Sequence, residues 1–599
     1  MNLNQRKLEA VLAKVQKPAR YLGNEWNSIH KEHARTAVKM VFAFPDLYEV
    51  GMSNQGLKIL YESVNMHDNF LMERVFAPAA DMEGEMRKNN LPLFSLESAK
   101  PVKEFDLIGF SLQYELSYTN VLNMLDLSGV LLYSSERTEL DPLVIGGGPC
   151  TFNPEPLAPF FDLFILGESE EALPEMLSMY AALKESGSKR SEMLSRFSEI
   201  EGVYVPAFYE PVYKDDGTLK NIKKLTDVAP EKVTKRTVAD LDHAPYPTAP
   251  IVPYIQAVHD RAVVELFRGC ARGCRFCQAG YIFRPIRRRS PEKIINLSRD
   301  LITNTGYDEL SLSSLSSSDY PHLDVLLENL DQSLADLKVR RSLPSLRLDS
   351  YSVGLADRLH QGRRSSLTFA PEAATERLRR VIKKNINEED IFTALGDAIK
   401  AGWQGFKLYF MIGLPTETDE DVEAIVSLCR EIRNCYKGKV KGALKLSISV
   451  STFVPKANTP FQWEPQLALE DILRRQKILM DGFRKMPGVD FSWHDAETSF
   501  LEAVFARGDR LLAPVLEKAW RLGCRFDGWS EHFSFERWRQ AFYEAGIDAA
   551  GYAEKSYSYE DGLPWDHLDC GIGKEIFIKE HELSLEERQE GMGSLNEQN

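Results

Sequence analysis

The stretch Phe267–Gln278, FRGCARGCRFCQ, places Cys270, Cys274 and Cys277 within eight consecutive positions, directly after the apolar run Val263–Phe267. A short run rich in β-branched and large apolar residues that breaks at glycine reads as a strand opening into a loop. Gly269 and Gly273 let that loop fold around a compact object, and thiolates are soft ligands suited to iron–sulfur clusters or to zinc. Three thiolates on a four-iron cluster leave one iron open, able to chelate the amino and carboxylate groups of a methionine moiety. A structural zinc site needs a fourth ligand from elsewhere in the chain, and His259 and Cys150 are the candidates.

Outward from this loop, short apolar runs alternate with helical spacing. Strands are predicted at Val263–Phe267, Glu309–Leu312, Leu346–Leu348, Leu367–Phe369, Phe406–Ile412 and Leu446–Val450. Two intervening helices carry start signals, Asn387 with Asp390 and Thr418 with Asp421. Such alternation predicts a parallel sheet covered by helices, here a partial (β/α)6 TIM-type barrel over residues 256–486. Upstream, Val38–Phe44, Phe105–Leu112, Leu143–Ile145 and Leu163–Leu166 repeat the strand-then-helix pattern and predict a Rossmann-like, flavodoxin-like domain over 36–185. The fold class is therefore α/β. An N-terminal helical extension is expected over 1–35, and a linker with a small β element, a hairpin around Lys214–Gly217, over 186–255. A mainly helical C-terminal domain is expected over 487–583, and a disordered polar tail over 584–599.

The chain has 599 residues, a formal charge of -15 and eight cysteines, which favours a metal site in a reducing compartment over a disulfide framework. The acidic balance argues against a protein that coats nucleic acid, since such binding draws on phosphate neutralisation. No apolar stretch approaches the roughly 20 residues of a bilayer span and no secretory signal opens the sequence, so a cytoplasmic protein is expected.

Cys-x3-Cys-x2-Cys with Phe276 before the last cysteine resembles the signature of the radical S-adenosylmethionine (radical SAM) superfamily. The resemblance implies that Cys270, Cys274 and Cys277 hold a 4Fe-4S cluster that cleaves S-adenosylmethionine reductively to a 5'-deoxyadenosyl radical. It also implies S-adenosylmethionine contacts at the later strands: Asp308 and Glu309 at the second, Arg347 in LPSLR at the third, Glu372 in TFAPEA at the fourth and Gly413 in FMIGLPTE at the fifth. An electron donor such as flavodoxin or ferredoxin is expected as a partner. The crowded Arg284, Arg287, Arg288 and Arg289 could steer that reductant or an acidic substrate, and a nucleic acid substrate stays open.

The first domain resembles the cobalamin-binding fold. Asp46-Leu-Tyr-Glu-Val-Gly51 stands where that fold carries Asp-x-His-x-x-Gly, with Ser111 and the pair Gly146-Gly147 at later strand ends. Tyr48 occupies the histidine position, and a phenol is a poor ligand for cobalt. The domain therefore either binds cobalamin without a histidine axial ligand, with Tyr48, Gly51, Ser111, Gly146 and Gly147 at its site, or is an empty scaffold. The whole chain is similar to cobalamin-binding-domain radical SAM proteins of unassigned substrate, for which cobalamin-dependent methylation or another radical modification is expected. The alternatives are a non-catalytic iron–sulfur electron-transfer or scaffold protein and a zinc-stabilised binding module. Cys429 reads as a packed helix residue, and the sequence names no catalytic side chain.

Overall fold

The computed structural model describes residues 3–344, 348, 366–440 and 444–596. Strands β1 (Val38–Phe44), β2 (Phe70–Phe76), β3 (Leu107–Ser111), β4 (Leu143–Gly147) and β5 (Leu163–Ile165) pair in parallel in the order β2-β1-β3-β4-β5. β6 (Val203–Tyr204) adds antiparallel to β5, so residues expected in the linker complete this sheet. β1, VKMVFAF, is almost wholly buried, as a strand covered on both faces must be. The strand order reverses between β1 and β3, and the loops leaving the strands there open a crevice. The predicted hairpin forms as Tyr209–Tyr213 against Leu219–Lys224, with the turn at Lys214–Gly217.

The second α/β unit contains β7 (Ala262–Glu265), β8 (Glu309–Ser313) and β9 (Arg340–Ser342) in one parallel sheet. β10 (Leu367–Glu372), β11 (Gly405–Ile412), β12 (Lys445–Thr452) and β13 (Val489–Trp493) form another. Two expectations change. The third strand is Arg340–Ser342, a polar run that apolar patterning passes over, while Leu346 and Arg347 lie outside the described residues and Leu348 is in a turn. A seventh strand, Val489–Trp493, carries the barrel past residue 486. Both expected capping boxes are present, on the helices Glu388–Lys400 and Asp419–Tyr436, and Cys429 is fully buried on the latter.

The C-terminal helices Ala496–Arg507, Ala513–Arg521 and Phe535–Ala545 share one core with the helix Tyr118–Leu127 of the first domain, where Val121 and Leu125 join Leu516, Ala519 and Trp538. The last helix, Lys574–Asn596, runs through the segment expected to be disordered. Its first turns are anchored by buried Phe577, His581 and Ser584, which a polar composition alone does not reveal. No described helix is long and apolar enough to cross a membrane.

Buried ion pairs join the two α/β units. Arg287 donates to both carboxylate oxygens of Glu168 (2.6 and 2.8 Å), and Arg268 pairs with Glu168 (3.3 Å), Glu170 (2.8 Å) and Glu265 (2.9 Å). Arg289 is also buried, and Arg284 lies over the Tyr281 ring. The arginine cluster therefore serves mainly as internal mortar, with only Arg288 exposed to act as a steering charge. Glu168→Ala leaves two guanidinium groups buried without their shared partner. We expect a loss of about 3–5 kcal/mol, read as a lower urea midpoint together with faster hydrogen exchange at Val238, whose amide donates to Glu168.

Candidate functional site

The cysteine loop follows β7 and is tied down by its own backbone. The Cys277 amide donates to the Cys274 carbonyl (3.1 Å), the Tyr281 hydroxyl to the Gly273 carbonyl (3.1 Å) and Arg284 Nε to the Cys270 carbonyl (3.3 Å). Gly269 has φ +92°, and a Cβ there would meet the Phe283 and Pro285 carbonyl oxygens at 2.7 and 2.8 Å, so only glycine fits the turn. Cys274 is buried, and Cys270 and Cys277 are half-buried. Burial, then the neighbouring Cys274, pushes the Cys277 thiol up to about 11. A thiol raised in this way beside two others suits a cationic centre that takes up thiolate charge. Among the described residues no three His, Cys, Asp or Glu side chains are gathered closely enough for a metal ion. An iron–sulfur cluster, which binds each thiolate at a separate iron, asks for a wider triangle than one ion does. The distant zinc candidates do not join the loop: His259 is exposed ahead of β7, and Cys150 faces the Tyr118 hydroxyl.

The rim of the second unit divides the other expected residues. Asp308 and Glu309 stand at the beginning of β8, paired with Arg340 (2.7 Å) and Arg261 (2.9 Å), at the end of the strands away from the cysteine loop. The expectation is corrected by one strand length. The end of β8 nearest the cysteines leads into Ser313, Ser314, Ser317 and Asp319, and Asp319 pairs with Arg272 of the cysteine loop. The polar run SSLSSSD after an apolar strand is the signal that identifies it. Glu372 closes β10 at φ +67° and pairs with Lys384 (3.2 Å). Gly413 follows β11 at φ +79° and donates its amide to Glu417 (2.7 Å), whose carboxyl burial pushes up to about 7 against the opposing pull of Arg475. Glu372 and Gly413 share the cysteine-bearing rim, whereas Arg347 lies outside the described residues.

In the first domain a cavity of about 290 Å³ opens at the ends of β3 and β4. Its floor is the apolar sheet face at Met40, Phe42 and Ile145, its rim Ser111, Gly146 and Gly147, and its far wall Arg268 and Phe283 of the second unit. A Cβ on Gly147 would meet nothing within 4 Å, so this glycine faces open space, whereas one on Gly146 would strike Phe164 at 2.5 Å. Tyr48 and Gly51 do not line the cavity. Tyr48 is buried, donates to Glu25 (2.9 Å) and packs edge-on to Phe76, while Gly51 is required because a Cβ would lie 2.2 Å from the Phe76 ring. Burial, then the Glu25 carboxylate, raises the Tyr48 phenol, which keeps it neutral.

Ser111 and Gln113 also border a second cavity of about 230 Å³, reaching Asp46, Tyr114 and Trp529. Beside it, Lys456 links Glu115 (2.6 Å) to Glu502 (2.9 Å), and Tyr114 donates to Glu502 (3.0 Å). Next to Lys456, the Ala457 carbonyl accepts from Gln278 of the cysteine loop (3.1 Å). This junction joins three parts of the chain, and a single lysine between Pro455 and Pro460 carries no spacing signal that would assign it such a role. Tyr48→Phe should cost about 1 kcal/mol through the lost Glu25 bond, measured by denaturant unfolding, and should leave the cavity's capacity for ligands unchanged.

Two family models match the chain in succession. Residues 56–206 match the family described as radical SAM proteins, N-terminal, and 264–429 match the radical SAM superfamily. The protein MJ0966 of Methanocaldococcus jannaschii is 31% identical over 435 residues, covering 72% of this chain and 84% of its own. A Pyrococcus horikoshii protein named as an uncharacterized methyltransferase, PH0819, is 24% identical over 56% of this chain and 66% of its own. Among solved structures, the radical S-adenosylmethionine methyltransferase TsrM of Kitasatospora setae, with cobalamin and a [4Fe-4S] cluster bound, aligns at TM-score 0.46 and 14% identity over 69% of this chain and 74% of its own. The cobalamin-dependent radical enzyme OxsB, with aqua-cobalamin bound, aligns at TM-score 0.46 and 12% identity over 99% of this chain and 86% of its own.

Proposed function

This chain belongs to the radical SAM superfamily and is an enzyme of that class, and we propose that Cys270, Cys274 and Cys277 carry a 4Fe-4S cluster while the cavity beside them receives part of a cobalamin. Methyl transfer to a carbon centre is then the reaction. The observation that carries this reading is the shared wall. The cavity at the β3 and β4 ends is bounded by Arg268, two residues from Cys270, so the ligand crevice of the first domain and the cysteine loop open towards one another. At about 290 Å³ the cavity suits the nucleotide tail of a cobalamin, with an apolar floor and a polar rim. The likeness to PH0819, named as a methyltransferase, supports the same class of reaction.

A reduced cluster of this kind supplies the electron that breaks the sulfur–carbon bond of S-adenosylmethionine, and cobalamin supplies a transferable methyl group. The chain's own part is to hold and shield. Gly269 and Gly273 shape the loop, and Lys384, which draws the Cys277 thiol towards ionisation, stabilises bound thiolates. Glu372 on its rim offers a carboxylate to an ammonium group, and the Gly413 turn presents backbone to a flat ligand. Tyr48 is turned into the core towards Glu25 and would not serve as a ligand to a cobalamin in the cavity.

The test is anaerobic. After reconstitution with iron and sulfide, the protein with dithionite and S-adenosylmethionine should release 5'-deoxyadenosine, and Cys274→Ala should abolish both cluster absorbance and product. Absence of a cluster in the wild-type protein would refute the cysteine assignment. Gly147→Leu adds its Cβ in open space, with nothing within 4 Å, and extends a bulky side chain from the cavity rim. It should leave the cluster intact and weaken hydroxocobalamin retention by about tenfold or more. Equal retention by the variant and the wild type would remove the cavity from the reading.

A further inference from the structure

The C-terminal helix Lys574–Asn596 lies against the cysteine loop, and its contacts converge on the residue between two of the three thiols. Arg275 is almost completely buried, its side chain 3% exposed. Its guanidinium donates to the Val381 carbonyl (2.8 Å) and the Arg380 carbonyl (3.2 Å), and its backbone amide to Ile382 (3.1 Å). The remaining side of the guanidinium meets Glu580 of the C-terminal helix (3.2 Å), with Glu587, about two helical turns on, at 3.7 Å. The second oxygen of Glu580 takes the ammonium of Lys383. That ammonium lies 3.8 Å from where a Cβ of Gly273 would stand, so it sits beside the loop between Cys270 and Cys274. Against burial, Lys383 and then Arg275 hold the Glu580 carboxyl below its ordinary range, so it is ionised.

One carboxylate thus answers two cations that flank the cysteine loop, and it comes from a helix some three hundred residues away, |i−j| = 305 from Arg275. The helix is also held by contacts beside these ion pairs. His581 bonds Glu464 (2.7 Å) and the Tyr559 hydroxyl (2.8 Å), and Phe577 packs on Tyr281 with ring centroids 5.4 Å apart. A rigid support with a charge at its tip is how a neighbouring shell orients and tunes a metal site.

We propose that Glu580 is a positioning residue for the cluster, holding Arg275 and Lys383 in place around the cysteine loop and, by cancelling their charge, keeping the cluster's reduction potential low. The proposal rests on the assignment of Cys270, Cys274 and Cys277 as cluster ligands. A low potential matters because reductive cleavage of a sulfonium needs a strongly reducing donor. Without the Glu580 charge, Lys383 loses this carboxylate and Arg275 keeps the more distant Glu587, so more positive charge acts on the cluster and the added electron is stabilised.

The test uses the full-length protein with its cluster reconstituted, and its primary readout is the midpoint potential from an EPR-monitored redox titration. Glu580→Gln should keep the iron and sulfide content of the wild type and move the potential to a more positive value, and Glu580→Asp should return it towards the wild type. His581→Gln loosens the same helix without removing charge from the loop, and should leave the potential unchanged. An unaltered potential in Glu580→Gln with the cluster intact overturns the proposal. So does an equal shift in His581→Gln, since the helix would then act through packing alone. If Glu580→Gln loses the cluster while His581→Gln retains it, the positioning half stands. Failure of the wild-type protein to assemble any cluster refutes the ligand assignment instead, and is distinguishable because it does not depend on Glu580.

Discussion

Glu168 holds the molecule together at the point where its two α/β units meet. It lies just beyond β5 and accepts from Arg287, Arg268 and the Val238 amide, so a single buried carboxylate compensates two guanidinium groups brought from the cysteine-bearing segment. A buried ion pair of this kind adds little net stability over an apolar contact, but it tolerates no alternative geometry. Arg268 is two residues ahead of Cys270, and Arg287 is ten beyond Cys277. Both ends of the cysteine loop are therefore pinned to the first domain, and the loop's position relative to the cavity follows from that pairing.

The same logic explains why the units meet with their strand ends facing. In a parallel sheet the loops leaving the carboxyl ends carry the adaptable chemistry, and a crevice opens where the strand order reverses. Here β3 and β4 deliver Ser111, Gly146 and Gly147 to one wall of the cavity, and the segment after β7 delivers Arg268 and Phe283 to the other. The C-terminal helices close the arrangement by packing on Tyr118–Leu127, and their buried cross-links, Thr119 to Asp527 (2.7 Å) and Asn153 to the Ala506 and Gly508 carbonyls (3.0 Å each), are polar and directional.

Much of this was legible in the sequence, for identifiable reasons. Val38–Phe44 announces itself because a strand buried on both faces is almost continuously apolar, and Phe406–Ile412 because its alternate residues Phe406, Leu408, Phe410 and Ile412 are the buried ones. Asn387 and Thr418 mark helix starts because their side chains answer amides the helix leaves unpaired. The cysteine spacing survives because a loop around a cluster is local in sequence. What was not legible is what depends on distant partners or on direction. Asp308 and Glu309 look like rim residues by composition, and only the strand's polarity puts them at the far end, beside Arg340 and Arg261. Tyr48 looks like a replaced ligand until Glu25 and Arg74, from separate elements, show where its hydroxyl goes. Arg340–Ser342 forms a strand with no apolar residue, held by its pairing with β8.

The polar C-terminal helix is the sharpest case. Its sequence, KEIFIKEHELSLEERQEGMGSLN, has few apolar residues and suggests a solvated end. Yet the positions that matter are the acidic ones, because the surface it covers is basic: Arg275 and Lys383 are fixed by the cysteine loop and the helix Glu376–Val381, and both need a counter-charge once buried or half-buried. A helix that docks largely through charge and a few buried positions such as Phe577 and His581 shows a weak hydrophobic stripe, so amphipathic reading assigns it to solvent. Its order is a property of the cysteine loop's charge as much as of its own sequence. The segment least suggestive of structure therefore contacts the cysteine loop directly.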